Sequence, residues 1–123
     1  MPQTHLDLQR ASHAWDTVQT IIKDRKTDPK EEKRHIKKLP SHIISAGLGQ
    51  ALVFLKAKGY AGAVRARLDD WMATRIPPGN GNRELLQRII HGDADFMRRA
   101  TAEVLEYLTW LKRFAEAEIA SDD

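Results

Sequence analysis

The sequence predicts an all-α protein, a compact bundle of about six helices ending in a long C-terminal helix. Three observations carry that prediction. Apolar residues recur every three or four positions along most of the 123 residues, the period of helices with one buried face. Helix starts and stops are written as Asp28-Pro29, Gly59, His91-Gly92 and Asp93. Charged residues make up 30% of the chain and aromatics only 7%, which suits helices better than strands rich in Val, Thr and Tyr. No strand pair, internal repeat or long low-complexity linker is visible. The chain therefore reads as one domain over 1–123, with an acidic tail at about 118–123 that is expected to fray.

The first helix is expected from Thr4 to about Lys26. Thr4 can cap it, with Asp7 three residues on as a partner. Leu8, Ala11, Trp15, Val18 and Ile22 form its apolar stripe, widened by Ala14 and Ile21. Asp28 as cap, Pro29 at the first helical position and Glu31 at the third restart the chain. A short polar helix to Lys38 should follow, and Leu39-Pro40 should open a long apolar helix that Gly59 terminates. In that helix Ile43, Ile44, Leu48, Leu52 and Leu55 require burial, and Gly47 and Ala51 would let a neighbour approach closely. A further helix spans Tyr60 to about Arg75, with Val64, Leu68, Trp71 and Met72 on one side. The run Ile76-Pro77-Pro78-Gly79-Asn80-Gly81-Asn82 is a loop. Asn82 can cap a helix bearing Leu85, Leu86, Ile89 and Ile90. Asp93 caps the last helix, which runs to about Ile119 and carries Met97, Val104, Leu108, Leu111 and Ala115 in register. Trp15, Trp71 and Trp110 read as core or interface anchors, with Trp110 at the edge of its stripe.

Several kinds of chemistry are excluded or disfavoured. There is no cysteine, so disulfides, thiol catalysis and Cys-based zinc sites are ruled out. The histidines at 5, 13, 35, 42 and 91 form no HExxH or HxxxH pair, so no helical metal site is expected. His91, Asp93 and Asp95 are better explained by capping. Asp69-Asp70 points two carboxylates in different directions on a helix. No nucleophile elbow or P-loop is present. No catalytic residue and no cofactor is therefore expected. No signal peptide and no apolar run long enough to span a bilayer is found; a cysteine-free chain fits a reducing cytoplasm, and a cytoplasmic protein is expected.

The most distinctive charge feature is Lys23–Lys38, with eight Lys or Arg residues against four acids. As a helix, Pro29–Lys38 would place Lys30, Lys33, Arg34 and Lys37 on one face. Like charges four apart, as in Lys30/Arg34 and Lys33/Lys37, each cost an isolated helix about 0.2–0.5 kcal/mol. A phosphate backbone alongside would reverse that sign and add counterion release. A solvated surface helix partly neutralised by Glu31 is the competing reading, and no aromatic interleaves the run. Lys56 and Lys58, then Arg65, Arg67, Arg98, Arg99, Lys112 and Arg113, could extend a patch if the fold brought them together.

Two blocks resemble a known family. The first is Leu39-Pro40, Ile43, Gly47-Leu48, Ala51-Leu52, Phe54-Leu55 and Lys58. The second is Phe96-Met97-Arg98-Arg99-Ala100, Glu103, Leu105, Leu108, Trp110-Leu111-Lys112-Arg113-Phe114-Ala115 and Ala117. Together, in this order and spacing, they are similar to the small all-helical subunit of type III-B CRISPR effector complexes, the Cmr complexes. The resemblance implies a non-catalytic subunit of an RNA-guided antiviral complex. It would stack beside copies of itself along a repeated backbone subunit and contact crRNA and target RNA. On that footing the RNA-contacting residues are expected to be Lys30, Lys33, Arg34, Lys37 and Lys38, then Lys56 and Lys58. Two alternatives stand beside it. One is a helical DNA-binding regulator using the helices near 60–75 and 82–92, whose connecting loop is long for a helix-turn-helix. The other is a pure protein-interaction bundle.

Overall fold

Local capping chemistry starts the helices where the sequence places it. In the computed structural model, which describes residues 4–120, the order is α1 (His5–Lys23), α2 (Pro29–Ala46), α3 (Leu48–Lys58), α4 (Gly62–Arg75), α5 (Leu85–Ile90) and α6 (Ala94–Glu118). Thr4 Oγ1 accepts from Asp7 N at 3.0 Å. Asp28 Oδ1 accepts from Lys30 N at 3.1 Å, and Asp93 Oδ1 from Phe96 N at 2.8 Å. Gly59 closes α3 in the left-handed region. The described residues contain no strand. At ~1.5 Å per residue, the 25 residues of α6 span roughly 37 Å.

The expected helix from Leu39 to Lys58 is instead two helices, and its boundary with the basic helix disappears. α2 runs through Pro40 without a break and stops at Gly47, whose φ of 92° lies where only glycine is unstrained. Proline in a helix interior costs about 3 kcal/mol. Ile36, Leu39 and Ile43 nevertheless sit on one turn-spaced face, all of them buried, and burying each contributes about 1.5–3 kcal/mol. A break at Pro40 would rotate Ile43 off that face. Gly47 makes no close approach: a side chain there would meet nothing within 4 Å. Its role is the turn that folds α3 back onto α2.

The stripe of α1 is also rotated from expectation. Ala14, Thr17, Val18 and Ile21 are buried, whereas Leu8, Trp15 and Ile22 are exposed. α1 packs along α6, and Tyr107 of α6 is fully buried. Its hydroxyl lies 2.7 Å from Thr17 Oγ1, so a small polar residue is selected for the core face. α6 also packs on α2 and touches α4, and so runs through the centre of the bundle.

The helix ends are tied by side chains from elsewhere in the chain. Ala61, at the N-terminus of α4, has no side chain to cap with and a φ of 55°. Glu32 of α2 does that work: its Oε1 accepts from Ala63 N at 3.0 Å and Val64 N at 3.1 Å. Asp69 of α4 accepts from Leu85 N at 2.9 Å and so starts α5. Asn82 does not cap α5 as expected: Glu84 stands at the cap position, and Asn82 Oδ1 accepts from Glu84 N at 3.1 Å, ahead of the helix. Arg88 donates to Met72 O and Ile76 O at the end of α4. The helical path continues through Glu118, and Ile119 is buried, so the chain is anchored through Ile119. The last residues of the acidic tail, 121–123, lie outside the described residues.

Candidate nucleic-acid interface

On α2 the buried face is set by Glu32, Ile36, Leu39 and Ile43. With about 100° between successive residues, the opposite side collects Lys30, Arg34, Lys37 and Lys38, and all four are exposed. Arg34 pairs with Glu31 one turn back. Of the two adjacent glutamates, only Glu31 stays on this side; Glu32 is turned inward to cap α4. Burial pushes the Glu32 carboxyl above the ordinary carboxylate range, against the two backbone donors that favour its charge. The outward face of α2 is thus cationic because one of its acids is used inside.

Lys33 departs from the sequence expectation. It does not share the exposed face with Lys30, Arg34 and Lys37. It is 7% exposed, and its Nζ donates to Ile119 O at 2.6 Å. The reason is register: Lys33 is three residues before Ile36, at the flank of the core face, where the end of α6 covers it. Lys56 and Lys58 are exposed at the end of α3. Lys56 does not join the α2 cations, because its Nζ is held 2.8 Å from Glu84 Oε2, before α5. The wider arginines are dispersed. Arg67 reaches Thr17, Arg65 donates to Tyr60 O, and Arg98 pairs with Asp95.

The fold assembles aromatic groups beside the cations that linear reading kept apart. Because α3 turns back at Gly47, Phe54 and Tyr60 come to lie against the histidines of α2. His35 and Tyr60 stack with centroids 4.4 Å apart, and His42 meets Phe54 edge-on at 5.1 Å. Phe54 and Tyr60 are 6.3 Å apart. Only the spacing of His35 and His42, two turns apart on α2, could have indicated this cluster in the sequence.

The most connected polar cluster lies elsewhere and is structural. His13 is 2.7 Å from Asp70 Oδ2 through Nε2 and 2.6 Å from the Tyr107 hydroxyl through Nδ1. With Asp70 as an acceptor, the network assigns the proton to Nε2, so Nδ1 accepts from Tyr107. Burial lowers the His13 pKa, while the His13 hydrogen bond lowers that of Asp70. Burial pushes the Tyr107 phenol far up. Nearby, Glu103 accepts from Arg10 at 2.6 and 3.0 Å and from Trp71 Nε1 at 3.2 Å. These contacts join α1, α4 and α6, with Tyr107 closed to solvent. Among the described residues no three His, Asp or Glu side chains are placed to hold a metal ion. No described helix is long and apolar enough to cross a membrane.

A helix-turn-helix is disfavoured by the same geometry. α5 has six residues, and Arg88 is engaged by Met72 O, Ile76 O and the Phe96 ring. A recognition helix needs such side chains free to reach base edges. On another face, Leu8, Trp15 and Ile22 of α1 are exposed. Trp15 meets Phe114 of α6 edge-on at 5.4 Å. Trp110 is partly covered, and its Nε1 donates to Asp7 at 3.1 Å.

Comparison with known proteins agrees with this architecture. Residues 6–118 match the family model described as CRISPR-associated protein (Cas_Cmr5). The fold is similar to the crystal structure of a CRISPR-associated Cmr5 family protein from Thermus thermophilus. The TM-score is 0.78 and the identity 29%, over 93% of this chain and 97% of that one. No curated protein sequence gives a significant match.

Proposed function

The chain belongs to the CRISPR-associated Cmr5 family, the small subunits of type III-B Cmr complexes, and from that premise we propose a non-catalytic structural role in RNA-guided targeting of RNA for antiviral defence. In this role it packs along the repeated backbone subunit and beside copies of itself. It contacts crRNA and target RNA through Lys30, Arg34, Lys37 and Lys38, with Lys58 and the Glu84-paired Lys56 as peripheral contributors. Lys33 is assigned to holding the end of α6 instead. The proposed place of action is the cytoplasm, where such a complex meets transcripts.

The observation that carries the RNA contact is the one-sided charge of α2. Four cations face outward, while Glu32 is withdrawn to the α4 N-terminus. Phosphate contacts of this type hold a strand without reading its sequence, and guide pairing supplies specificity. The exposed Leu8, Trp15 and Ile22 favour protein contact on a separate face, which is the chemistry of interface anchors. The test is co-expression with the neighbouring subunits, using the charge reversals Lys30→Glu, Arg34→Glu and Lys37→Glu together. Assembly is expected to persist while RNA retention falls. Retention equal to wild type would instead support a subunit that makes only protein contacts. Recovery of the wild-type chain alone, free of any ribonucleoprotein, would remove the structural role.

A further inference from the structure

A groove on the α2–α3 face combines features that the phosphate-contact reading does not use. Its walls are His35, Lys38, Leu39, His42, Phe54 and Leu55, and its volume is about 320 Å³. That lies at the small end of the range for ligand pockets. Leu39 and Leu55 are buried and form an apolar floor, whereas Phe54 and the adjoining Tyr60 are 43% and 40% exposed. Two aromatic rings left half in water beside an ammonium group make a surface unlike a solvated helix face.

From this arrangement we propose that an aromatic shelf, made of Phe54 and, at 69° to it, Tyr60 stacked on His35, stacks an unpaired nucleobase of single-stranded RNA, with Lys38 holding the adjacent phosphate. The inference rests on the RNA-contact reading and specifies what that reading leaves open, namely where a base goes. A base needs a flat apolar partner, and a strand needs positive charge within one nucleotide of it. Stacking platforms flanked by cations supply both without sequence preference. Here His35 comes from α2, Phe54 from α3 and Tyr60 from the segment that follows α3, so the shelf exists only because Gly47 turns α3 back on α2.

Charge complementarity orients the strand. Glu31 Oε2 lies 3.8 Å from His35 Nε2 at one edge, and Lys38 lines the groove itself. A phosphate is repelled from the Glu31 edge and drawn to the Lys38 side, where Lys37 continues the positive face. Burial lowers the His35 pKa, so near pH 7 the ring that stacks on Tyr60 is predominantly uncharged. Duplex RNA keeps its bases inside and offers no face to such a shelf, so the expected occupant is a single strand.

The test uses the full chain and two probes of equal phosphate number, an oligouridylate and an abasic ribose-phosphate oligomer. Wild type is expected to bind the oligouridylate about tenfold more tightly, within the range for one stacked base. Phe54→Ala is expected to bring the ratio close to one with an unchanged salt slope. Phe54→Trp is expected to keep the ratio, because it restores a π face. Tyr60→Leu provides a second loss of stacking, and thermal melting checks that each variant folds. Equal, salt-sensitive binding of both probes by wild type would overturn the shelf and leave the phosphate-contact reading standing. So would a Phe54→Ala effect of the same size on both probes. Failure of wild type to bind either probe would remove both.

Discussion

Neutralising Lys37 and Lys38 together tests whether the outward face of α2 meets phosphate. Both ammonium groups are exposed on α2, beside Lys30 and Arg34. Each cation that neutralises a single-strand phosphate adds about −0.7 to the slope of log affinity against log salt, so four give about −2.8. If one of the four is held back by an intramolecular partner, as Arg34 is by Glu31, about −2.1 is left. Wild type should therefore lose roughly 20- to 50-fold in affinity between about 50 and about 200 mM salt. Lys37→Gln with Lys38→Gln removes two contacts, which leaves a slope of about −0.7 to −1.4 and a loss of only about three- to sevenfold. Fluorescence anisotropy of a labelled single-stranded RNA, titrated at several salt concentrations, reads both slopes. A wild-type slope near zero, or one unaltered by the double substitution, would refute the argument.

Three further predictions concern residues drawn into the interior. Glu32→Ala strips the acceptor from Ala63 N and Val64 N and should cost about 2–4 kcal/mol in urea denaturation. Glu32→Gln keeps an acceptor oxygen and should stay within about 1 kcal/mol. Lys33→Met removes the donor from Ile119 O. It should speed hydrogen exchange at the end of α6 while leaving the RNA salt slope alone. His13 has a folded pKa below its ordinary 6.5, so its contribution to stability is complete above that value and is lost as pH falls below it. Thermal melts at pH 7.5 and 5.5 should show a larger loss for wild type than for His13→Gln. The raised pKa of Glu32 acts in the opposite direction as pH falls, and it is common to both proteins.

What could be read from the sequence was local. Thr4, Asp28 and Asp93 each cap a backbone donor two or three residues away, so residue type and position suffice. Gly59 is legible for the same reason. The path of α2 through Pro40 was not, because the gain comes from aligning Ile36, Leu39 and Ile43 with a core whose other side is α6. The core face of α1 was hidden for a related reason. By hydrophobicity Leu8, Trp15 and Ile22 outrank Ala14 and Thr17, but Tyr107 requires a small hydroxyl partner. At the candidate site Lys30, Arg34 and Lys37 are exposed on the face that their spacing on a helix predicts, and Lys38 is exposed beside them. Lys33 is not, since its acceptor lies 86 residues along the chain. The aromatic shelf could not be located without the turn at Gly47.

These inward residues also explain how a nearly balanced chain can present a basic face. The net charge is only +3, too small by itself to attract a polyanion strongly. Position matters more than the total. Glu32 and Glu103 are both buried, one bonded to backbone donors and the other to Arg10 and Trp71, so neither places a carboxylate on the outer surface of α2. Asp70, on α4, is bonded to His13 and Arg83. Glu31 is the acid left beside the α2 cations, paired with Arg34, while Glu32, Glu103 and Asp70 are bonded to other partners. The exposed Leu8, Trp15 and Ile22 belong to α1, a different helix from the cationic face. A protein partner covering them would leave Lys37 and Lys38 accessible, provided its footprint stays on α1. Under the proposed role, this separation would let RNA and a neighbouring subunit be held at once, which a single mixed face of charge and apolar groups would prevent.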